Sequence, residues 1–204
     1  MKQNKKEVGD NMLVLIGESA SGKSSVARYL VNNFGFNNII IYTTREPREG
    51  EVNGIDYHFI NKSQFEHMST LGLFAETAEY NGWRYASIKS DYEDDSDNKV
   101  AVLTPHGIRQ IRKNGIDIYV VYIKIPRRDR LIKILHRGDD IEEAYRRSLS
   151  DVGQFDGIED EVDLVVENAG YKKSVKYVAY EIYHQYKNKK GCDYSANNTD
   201  LGKI

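Results

Sequence analysis

Cysteine, proline and tryptophan are scarce in this chain of 204 residues, which contains one cysteine, three prolines and one tryptophan. The single cysteine, Cys192, excludes an intramolecular disulfide and a metal site built from cysteines, and it fits the reducing cytoplasm in which we expect the protein. No run of 18 apolar residues occurs, so no membrane-spanning helix is predicted. The polar start, residues 1–7, lacks the apolar stretch of a signal peptide.

The chain also lacks an excess of charge of either sign, because 29 basic and 31 acidic residues give a net charge of −2. A general nucleic-acid binder normally carries a basic surplus, so we expect no nucleic-acid partner, and we expect no membrane partner either. Neither the G-x-S-x-G nor the H-E-x-x-H motif occurs, which excludes the hydrolase and metalloprotease sites that they mark. The length and a hydrophobic content of 40% predict one soluble domain, as a monomer or a homodimer.

The most informative segment is Gly17–Ser24, which reads G-E-S-A-S-G-K-S and fits the pattern G-x-x-x-x-G-K-[ST]. It follows the apolar run 12–16 and precedes a helix-compatible segment, which is the context this pattern requires. The glycines let successive N–H groups point at phosphate oxygens, Lys23 reaches the β- and γ-phosphates, and the Ser24 hydroxyl can ligate Mg²⁺. We therefore predict a nucleoside triphosphate site formed by Gly17, Ser19, Ala20, Ser21, Gly22, Lys23, Ser24 and Ser25, with Ser24 as the metal ligand.

Strand-like and helix-like segments alternate along most of the chain, which predicts an α/β domain with a mostly parallel sheet flanked by helices. The strand-like segments are 13–16, 38–42, 57–60, 73–80, 83–87, 100–103, 116–125 and 162–166. The helix-like segments are 23–33, 62–70, 105–113, 127–136, 141–155 and 172–187.

Residues 45–97 interrupt this alternation with several short strands, turn signals and one helix, and we interpret them as a small mixed α/β insertion. The predicted domain spans residues 11–187, with its core at 11–44 and 98–187 and a lid at about 137–150. The polar segments 1–10 and 188–204 are predicted to be mobile tails.

A basic segment opens the insertion, where Arg45 and Arg48 flank Pro47. Two arginines at this spacing on a stiffened backbone form a compact clamp for an anion, and Tyr57 adds a hydroxyl a short distance along the chain. A solvated loop, in which both arginines pair with the neighbouring glutamates, explains the same residues.

Residues 43–59 resemble the segment T-T-R-x-P-R-x-G-E-x-x-G-x-D-Y-x-F of the guanylate kinase family and agree with it at every fixed position. The likeness continues at residues 74–76 and 85–87, which resemble the family's F-x-E and Y-G-[ST], and it is weaker at 136–138, 142–149 and 163–168. It covers about residues 12–187. The resemblance implies a P-loop nucleoside-monophosphate kinase that uses ATP and Mg²⁺ to phosphorylate GMP or dGMP.

The resemblance also implies a role for each matching residue. The 5′-monophosphate would be held by four residues, Arg45, Arg48, Tyr57 and Tyr85. Glu76 would accept hydrogen bonds from the base with help from Ser87, because one carboxylate can receive both N1–H and the 2-amino group of guanine, a pair that adenine lacks. Lys23, Arg137 and Arg147 (or Arg146) would be the catalytic cations, with residues 137–140 at the tip of the lid. A solvated helix face is the other interpretation of Arg146 and Arg147.

Two positions depart from the family pattern. Ile41 stands where the family usually has a serine that meets guanine O6, and Thr104 lies in a segment, 102–107, that lacks the carboxylates of the family's D-x-D-x-Q-G. Losing a hydrogen-bond donor relaxes base discrimination, so we expect GMP or dGMP as the best acceptor with a looser preference. Three alternatives stay open, namely a kinase for another or a modified deoxynucleotide, a small phosphosugar kinase, and a binding module without catalysis. The intact Lys23–Ser24 pair and the arginine clamp argue against the binding module.

Overall fold

A parallel sheet forms the centre of the fold. The structure is a computed structural model that describes residues 12–80, 82–93, 98–136, 138 and 141–190. The strands of this sheet are β1 Met12–Ile16, β2 Asn37–Asn38, β7 Lys99–Val102, β8 Tyr119–Lys124 and β9 Leu164–Glu167. The strand order is β2-β7-β1-β8-β9, and every neighbouring pair runs parallel. The predicted α/β class with a parallel sheet is confirmed.

Helices alternate with these strands in the described part of the chain. They are α1 Lys23–Phe34, α2 Lys62–Thr70, α3 Ser90–Glu93, α4 Pro105–Lys113, α5 Arg127–His136, α6 Ile141–Ser150 and α7 Val175–Lys189, with 3-10 helices at Ile158–Glu161 and Ala169–Tyr171. Helices α2, α4 and α5 have the predicted bounds. No helix among these residues is both long enough and apolar enough to cross a lipid bilayer.

The sheet is buried on both faces. Leu13 and Leu15 of β1 pack with Leu30 of α1 and Ile182 of α7, whereas the alternate residues of β1 pack on the other face with α4, through residues such as Ile108. Successive strand residues point to opposite faces, so a strand covered on both sides needs an unbroken apolar run. This requirement explains the M-L-V-L-I sequence of β1.

A second sheet contains β3 Tyr42–Thr43, β4 His58–Phe59, β5 Phe74–Tyr80 and β6 Trp83–Ile88 in the order β4-β3-β6-β5. Its edge strand β5 is fastened to α4 by side chains. Gln110 donates to Thr77 O at 2.7 Å and accepts from Thr77 N at 3.1 Å, and Asn114 donates to Ala75 O at 2.7 Å. These bonds satisfy backbone groups that an edge strand leaves unpaired, and they hold β5 beside the core sheet.

One predicted strand, 38–42, is wrong as a single element. The structure divides it between β2 in the core sheet and β3 in the second sheet. Ile39 and Ile41 lie between the two strands and are buried in the core, so their apolar character comes from packing at the crossing between sheets. The second sheet therefore starts at Tyr42, before the predicted start of the insertion at residue 45.

Two predicted helices have different ends. The predicted helix 141–155 stops at Ser150, and residues 151–157 form turns that include Gly153 at φ 78° and Gly157 at φ 70°. Helix α7 begins at Val175, because the Ser174 side chain caps it by accepting from Tyr177 N at 3.2 Å. It continues to Lys189, into the predicted tail at 188–204. Arg137, Asp139, Asp140, Cys192 and the predicted tail 1–10 lie outside the described residues.

Candidate active site

The phosphate-binding motif forms the loop between β1 and α1. Gly17 has a φ of 153°, and a Cβ atom there would lie 2.7 Å from Ile123 O, so a side chain would collide with β8. Gly22 has a φ of 96° at the N-cap of α1. Ala20 also adopts a left-handed φ of 65°, a conformation that is costly for a residue with a Cβ atom. The loop is therefore held in a shape that local preference does not favour.

The first turn of α1 faces this loop. Its N-cap, Gly22, offers no side-chain hydrogen bond, and its first turn contains no acidic residue. Helix N-termini carry unsatisfied N–H groups and partial positive charge, so an uncapped one attracts an anion. Ser24 and Ser25 line the cleft here, whereas Ser21, which belongs to the loop itself, is buried and does not line the cleft.

Lys23 lies across the loop. Its Nζ donates to Gly17 O at 2.5 Å, Glu18 O at 2.9 Å and Ser21 Oγ at 3.2 Å. Burial lowers the pKa of Lys23 to about 8, and the charge of Asp151 opposes part of this shift. A phosphate placed on the loop stabilises the protonated form of this amine.

A group of arginines lies across the cleft from the loop. Burial lowers the pKa of Arg48, and the positive charges of Arg147 and Arg45 lower it further. Because like charges repel, a cluster of this kind is stabilised by an anion between its members. The structure thus brings the two arginines of the predicted clamp together with Arg147 from α6.

Arg45 has a partner within this cluster. Its guanidinium binds Glu51 through two hydrogen bonds of 2.8 and 2.9 Å, and it lies over the rings of Tyr57 and Phe59. Arg45 therefore shows the glutamate pairing of the solvated-loop alternative, but it is not solvated, since only 8% of its side chain is exposed. Arg48 contributes its backbone N–H to the same carboxylate at 2.8 Å. Glu51 thus shapes the loop that carries both arginines.

Aromatic side chains complete this part of the cleft. Tyr57 and Tyr85 both line it, with their ring centroids 6.2 Å apart at an interplanar angle of 63°. Burial raises the pKa of Tyr57, so its hydroxyl keeps its proton and can donate a hydrogen bond.

Glu76 lies at the opposite end of the cleft. The residue is 3% exposed, and its carboxylate accepts a hydrogen bond from Ser87 Oγ at 3.1 Å. Ser87 in turn accepts a hydrogen bond from the Tyr92 hydroxyl at 2.8 Å. Because Tyr92 is the donor in that bond, the proton of Ser87 is donated to Glu76. Burial raises the pKa of Glu76 to about 7, while the hydrogen bond from Ser87 lowers it in part. Ser87 is fully buried and does not itself line the cleft.

The surroundings of Glu76 are mainly apolar. Tyr42 pairs with Ala86 and Glu76 pairs with Ser87, so the strand register places Ile41 in the same cross-strand row as the carboxylate. At Gly107, a Cβ atom would lie 2.8 Å from Glu76 Oε2, which shows how closely α4 approaches. Thr104 caps α4 by accepting from Gly107 N at 3.0 Å, so its hydroxyl already has a structural role.

One cleft of about 450 Å³ joins these parts. The predicted site residues that line it are Gly17, Ser19, Ala20, Gly22, Lys23, Ser24, Ser25, Arg45, Arg48, Tyr57, Glu76, Tyr85 and Arg147. Ser21 and Ser87 are buried and do not line the cleft. Arg137 lies outside the described residues.

Further residues reach the cleft without a signal in the sequence. Tyr80 and Asp151 line it beside Ser19, and Lys133 lines it from α5. Sequence periodicity placed Asp151 inside a continuous helix and Tyr80 in an ordinary strand. The contact between them spans 71 positions of the chain, and no local pattern records such a contact.

The described residues provide few side chains that could bind a metal ion directly. In the described part of the chain no group of three or more histidine, cysteine or acidic residues could hold a metal ion. The Ser24 hydroxyl beside Lys23 is nonetheless compatible with Mg²⁺, since this ion keeps several water ligands and takes others from the phosphates it accompanies.

Comparison with known proteins identifies the family. The guanylate kinase family model matches residues 9–185. The guanylate kinase of Caulobacter vibrioides is 33% identical over 179 residues, which are 85% of this chain and 84% of that protein. The guanylate kinase of Nitratidesulfovibrio vulgaris is 36% identical over 148 residues, 70% of this chain and 72% of that protein. A crystal structure of guanylate kinase from Anaplasma phagocytophilum shares the fold, with a TM-score of 0.63 over 90% of this chain and 87% of that chain at 23% identity. The chain therefore belongs to the guanylate kinase family.

Proposed function

We propose that this member of the guanylate kinase family transfers the γ-phosphoryl group of ATP to the 5′-phosphate of GMP or dGMP, and that the cleft described above is its active site. The observation that carries the proposal is the presence of two phosphate-binding groups and one buried carboxylate in a single cleft. The reaction class follows from family membership, and the contacts described above support the residue roles that we propose.

ATP belongs at the loop between β1 and α1. Its β- and γ-phosphates bind the N–H groups around Gly22 and the ammonium of Lys23, which needs only to turn from the loop carbonyls to the phosphates. Ser24 would hold Mg²⁺, which would neutralise part of the phosphate charge. The remaining loop residues from Gly17 to Ser25 shape this site.

The acceptor phosphate belongs at the arginine cluster. Arg48, Tyr57 and Tyr85 donate to its oxygens, and Arg45 adds charge while it fixes the loop through Glu51. Arg147, whose charge acts on Arg48 and which lines the same cleft as the phosphate loop, is proposed to stabilise charge on the phosphoryl group in transit. Arg137 shares this role by resemblance.

The base belongs at Glu76. An ionised carboxylate accepts both N1–H and the 2-amino group of guanine, whereas adenine would leave the buried charge unpaired at a cost of roughly 1–3 kcal/mol. Ser87 keeps the carboxylate in place from behind. The apolar Ile41 adds no polar discrimination, so we propose that the preference for guanine rests mainly on Glu76.

Steady-state assays with ATP and a panel of GMP, dGMP, IMP, AMP, dTMP and dUMP test this proposal. GMP or dGMP should give the highest kcat/KM, and Glu76→Gln should lower that value about tenfold relative to the other acceptors, because the amide presents one acceptor and adds donors. Glu79→Gln, on the exposed side of the same strand, is the matched control.

The outcomes separate the parts of the proposal. Absence of transfer to every acceptor would contradict the kinase assignment. A higher kcat/KM for dTMP or dUMP than for dGMP would overturn the base assignment alone.

A further inference from the structure

Asp151 is a buried carboxylate that binds three separate elements. Its side chain is 5% exposed and follows the end of α6. Oδ2 accepts from Ser19 N of the phosphate loop at 3.0 Å and from Arg130 Nη1 of α5 at 3.0 Å. Oδ1 accepts from the Tyr80 hydroxyl, at the end of β5, at 3.0 Å. We call Ser19, Tyr80, Arg130 and Asp151 the Asp151 cluster.

The hydrogen bonds of the cluster have a defined direction. An ionised carboxylate can only accept, so the single proton of Tyr80 goes to Asp151. The 2.8 Å contact between Tyr80 and Ser19 Oγ is then donated by the serine. A continuous chain thus runs from the phosphate loop through β5 to the end of α6.

Arg130 fixes the other side of the cluster. Its guanidinium is buried, donates to Ile125 O at 3.1 Å, and reaches Glu18 Oε1 at 3.4 Å as well as Asp151. Glu18 also accepts from Tyr122 at 3.2 Å. A buried arginine tied to the core in this way gives Asp151 a rigid anchor.

Arg147 lies one helical turn before Asp151 in the chain. The backbone N–H of Asp151 donates to Arg147 O at 3.2 Å, and the Tyr80 hydroxyl approaches the same carbonyl at 3.3 Å. Arg147 and Asp151 both line the cleft, so the position of the arginine depends on where this end of α6 is fastened.

We propose that Asp151 is a positioning residue for phosphoryl transfer, because it fastens the end of α6 to the phosphate loop and to Tyr80 and thereby holds Arg147 over the cleft. This inference rests on the proposed function and extends it to a residue that does not touch the reacting atoms. Asp151 acts through Arg147, and Tyr80 supports Asp151.

Two substitutions disturb the cluster with little change of shape. Asp151→Asn removes the negative charge that binds Arg130 and places an amide NH2 against one of the present donors, so the bond from the Tyr80 hydroxyl must be lost or reversed. Tyr80→Phe removes only one hydroxyl. Asp163→Asn is the matched control, since Asp163 also accepts from a backbone N–H, that of Val120 at 2.8 Å, and binds Lys189 at a site away from the cleft.

The test is a double-mutant cycle with Arg147→Ala, measured as kcat and KM for ATP and for the preferred monophosphate. We expect Asp151→Asn to lower kcat about tenfold and Tyr80→Phe about threefold, with both KM values changed less than about twofold. In the Arg147→Ala background each substitution should lower kcat by less than about twofold. Asp163→Asn should leave kcat unchanged, even where it lowers Tm.

Two results would overturn the inference. An undiminished effect of Asp151→Asn or Tyr80→Phe without Arg147 would show that the cluster acts by another route, and an unchanged kcat in both variants would show that it only stabilises the fold. If Asp151→Asn does not fold, Tyr80→Phe decides the question alone. Failure of the proposed function is distinct, because it would appear in the wild-type protein as absence of transfer to GMP.

Discussion

The two ends of the cleft differ in the number of charged side chains and in how these are paired. At the phosphate end, Lys23 has three acceptors, Arg45 binds Glu51 twice, and Arg130 binds both Glu18 and Asp151. At the base end, a single buried carboxylate, Glu76, has Ser87 as its hydrogen-bond donor and Ile41 in its cross-strand row.

This difference separates the two tasks of the enzyme. Phosphoryl transfer requires several charges in fixed positions, and the phosphate end fixes Lys23, Arg45 and Arg130 by pairing them with backbone carbonyls or with carboxylates. In our proposal base recognition depends on one group, Glu76, whose charge is costly because it is buried. Substitutions at the phosphate end should therefore change the rate or the binding of the acceptor phosphate, whereas those at the base end should change base preference and the pH dependence of stability.

The largest expected effect is on the rate. Lys23→Ala should lower kcat by about 100-fold or more, because the ammonium acts on developing phosphate charge, a contribution of about 3 kcal/mol at the transition state. Lys124→Ala, which removes a surface lysine paired with Glu159, is the control and should leave kcat unchanged. Unchanged turnover in Lys23→Ala would contradict the kinase assignment.

The next effect distinguishes the two arginines of the clamp. Arg48→Ala and Arg45→Ala should each raise KM for GMP about tenfold while KM for ATP changes little, since the first removes a charged donor to the acceptor phosphate and the second removes positive charge beside it and loosens the loop that Glu51 holds. Arg45→Ala should also lower Tm, because it leaves Glu51 without its bidentate partner. Arg28→Ala, at an exposed arginine, is the control. An equal rise in KM for ATP would show that the clamp does not act on the acceptor phosphate alone, and it would contradict the assignment of the clamp to GMP.

The last effect is on stability and sharpens the comparison at the base end. Burial raises the pKa of Glu76 from its usual 4.5 to about 7, so between these values the folded protein binds more protons than the unfolded chain and loses stability as pH rises. Glu76→Gln avoids this loss. The variant should match the wild type in thermal denaturation near pH 5 and exceed it by a few degrees at pH 8, on the order of 2 kcal/mol.

Glu79→Gln should show no such pH-dependent gain, because Glu79 is exposed. A difference in Tm between Glu76→Gln and the wild type that stays constant from pH 5 to pH 8 would show that Glu76 does not carry the buried charge. Over the same range KM for GMP should fall in the wild type as the carboxylate ionises.

Features set by local sequence were predictable. The phosphate loop could be read from Gly17–Ser24 because its glycines are needed for backbone conformations at those positions. Helices α2 and α4 could be bounded because Asn61 and Thr104 cap them through side chains three residues from the N–H groups they bind. The family segment at 43–59 contains three of the six residues that we propose for the acceptor site, Arg45, Arg48 and Tyr57, because these lie close together in the chain.

Features set by contacts between distant segments were not predictable. The run 38–42 looks like one strand, yet it crosses between two sheets. Helix α6 stops at Ser150, where the next residue, Asp151, makes contacts with Ser19 and Tyr80 that no helical pattern reveals.

The sequence by itself determined the fold class, the phosphate loop and the family, because each depends on residue spacing within short segments. The tertiary structure decided which charges meet across the cleft. It placed Arg147 beside Arg48, paired Arg45 with Glu51, and buried Glu76 against α4. Burial and proximity are what shift pKa values and fix catalytic groups, and both arise only when segments far apart in the chain pack together.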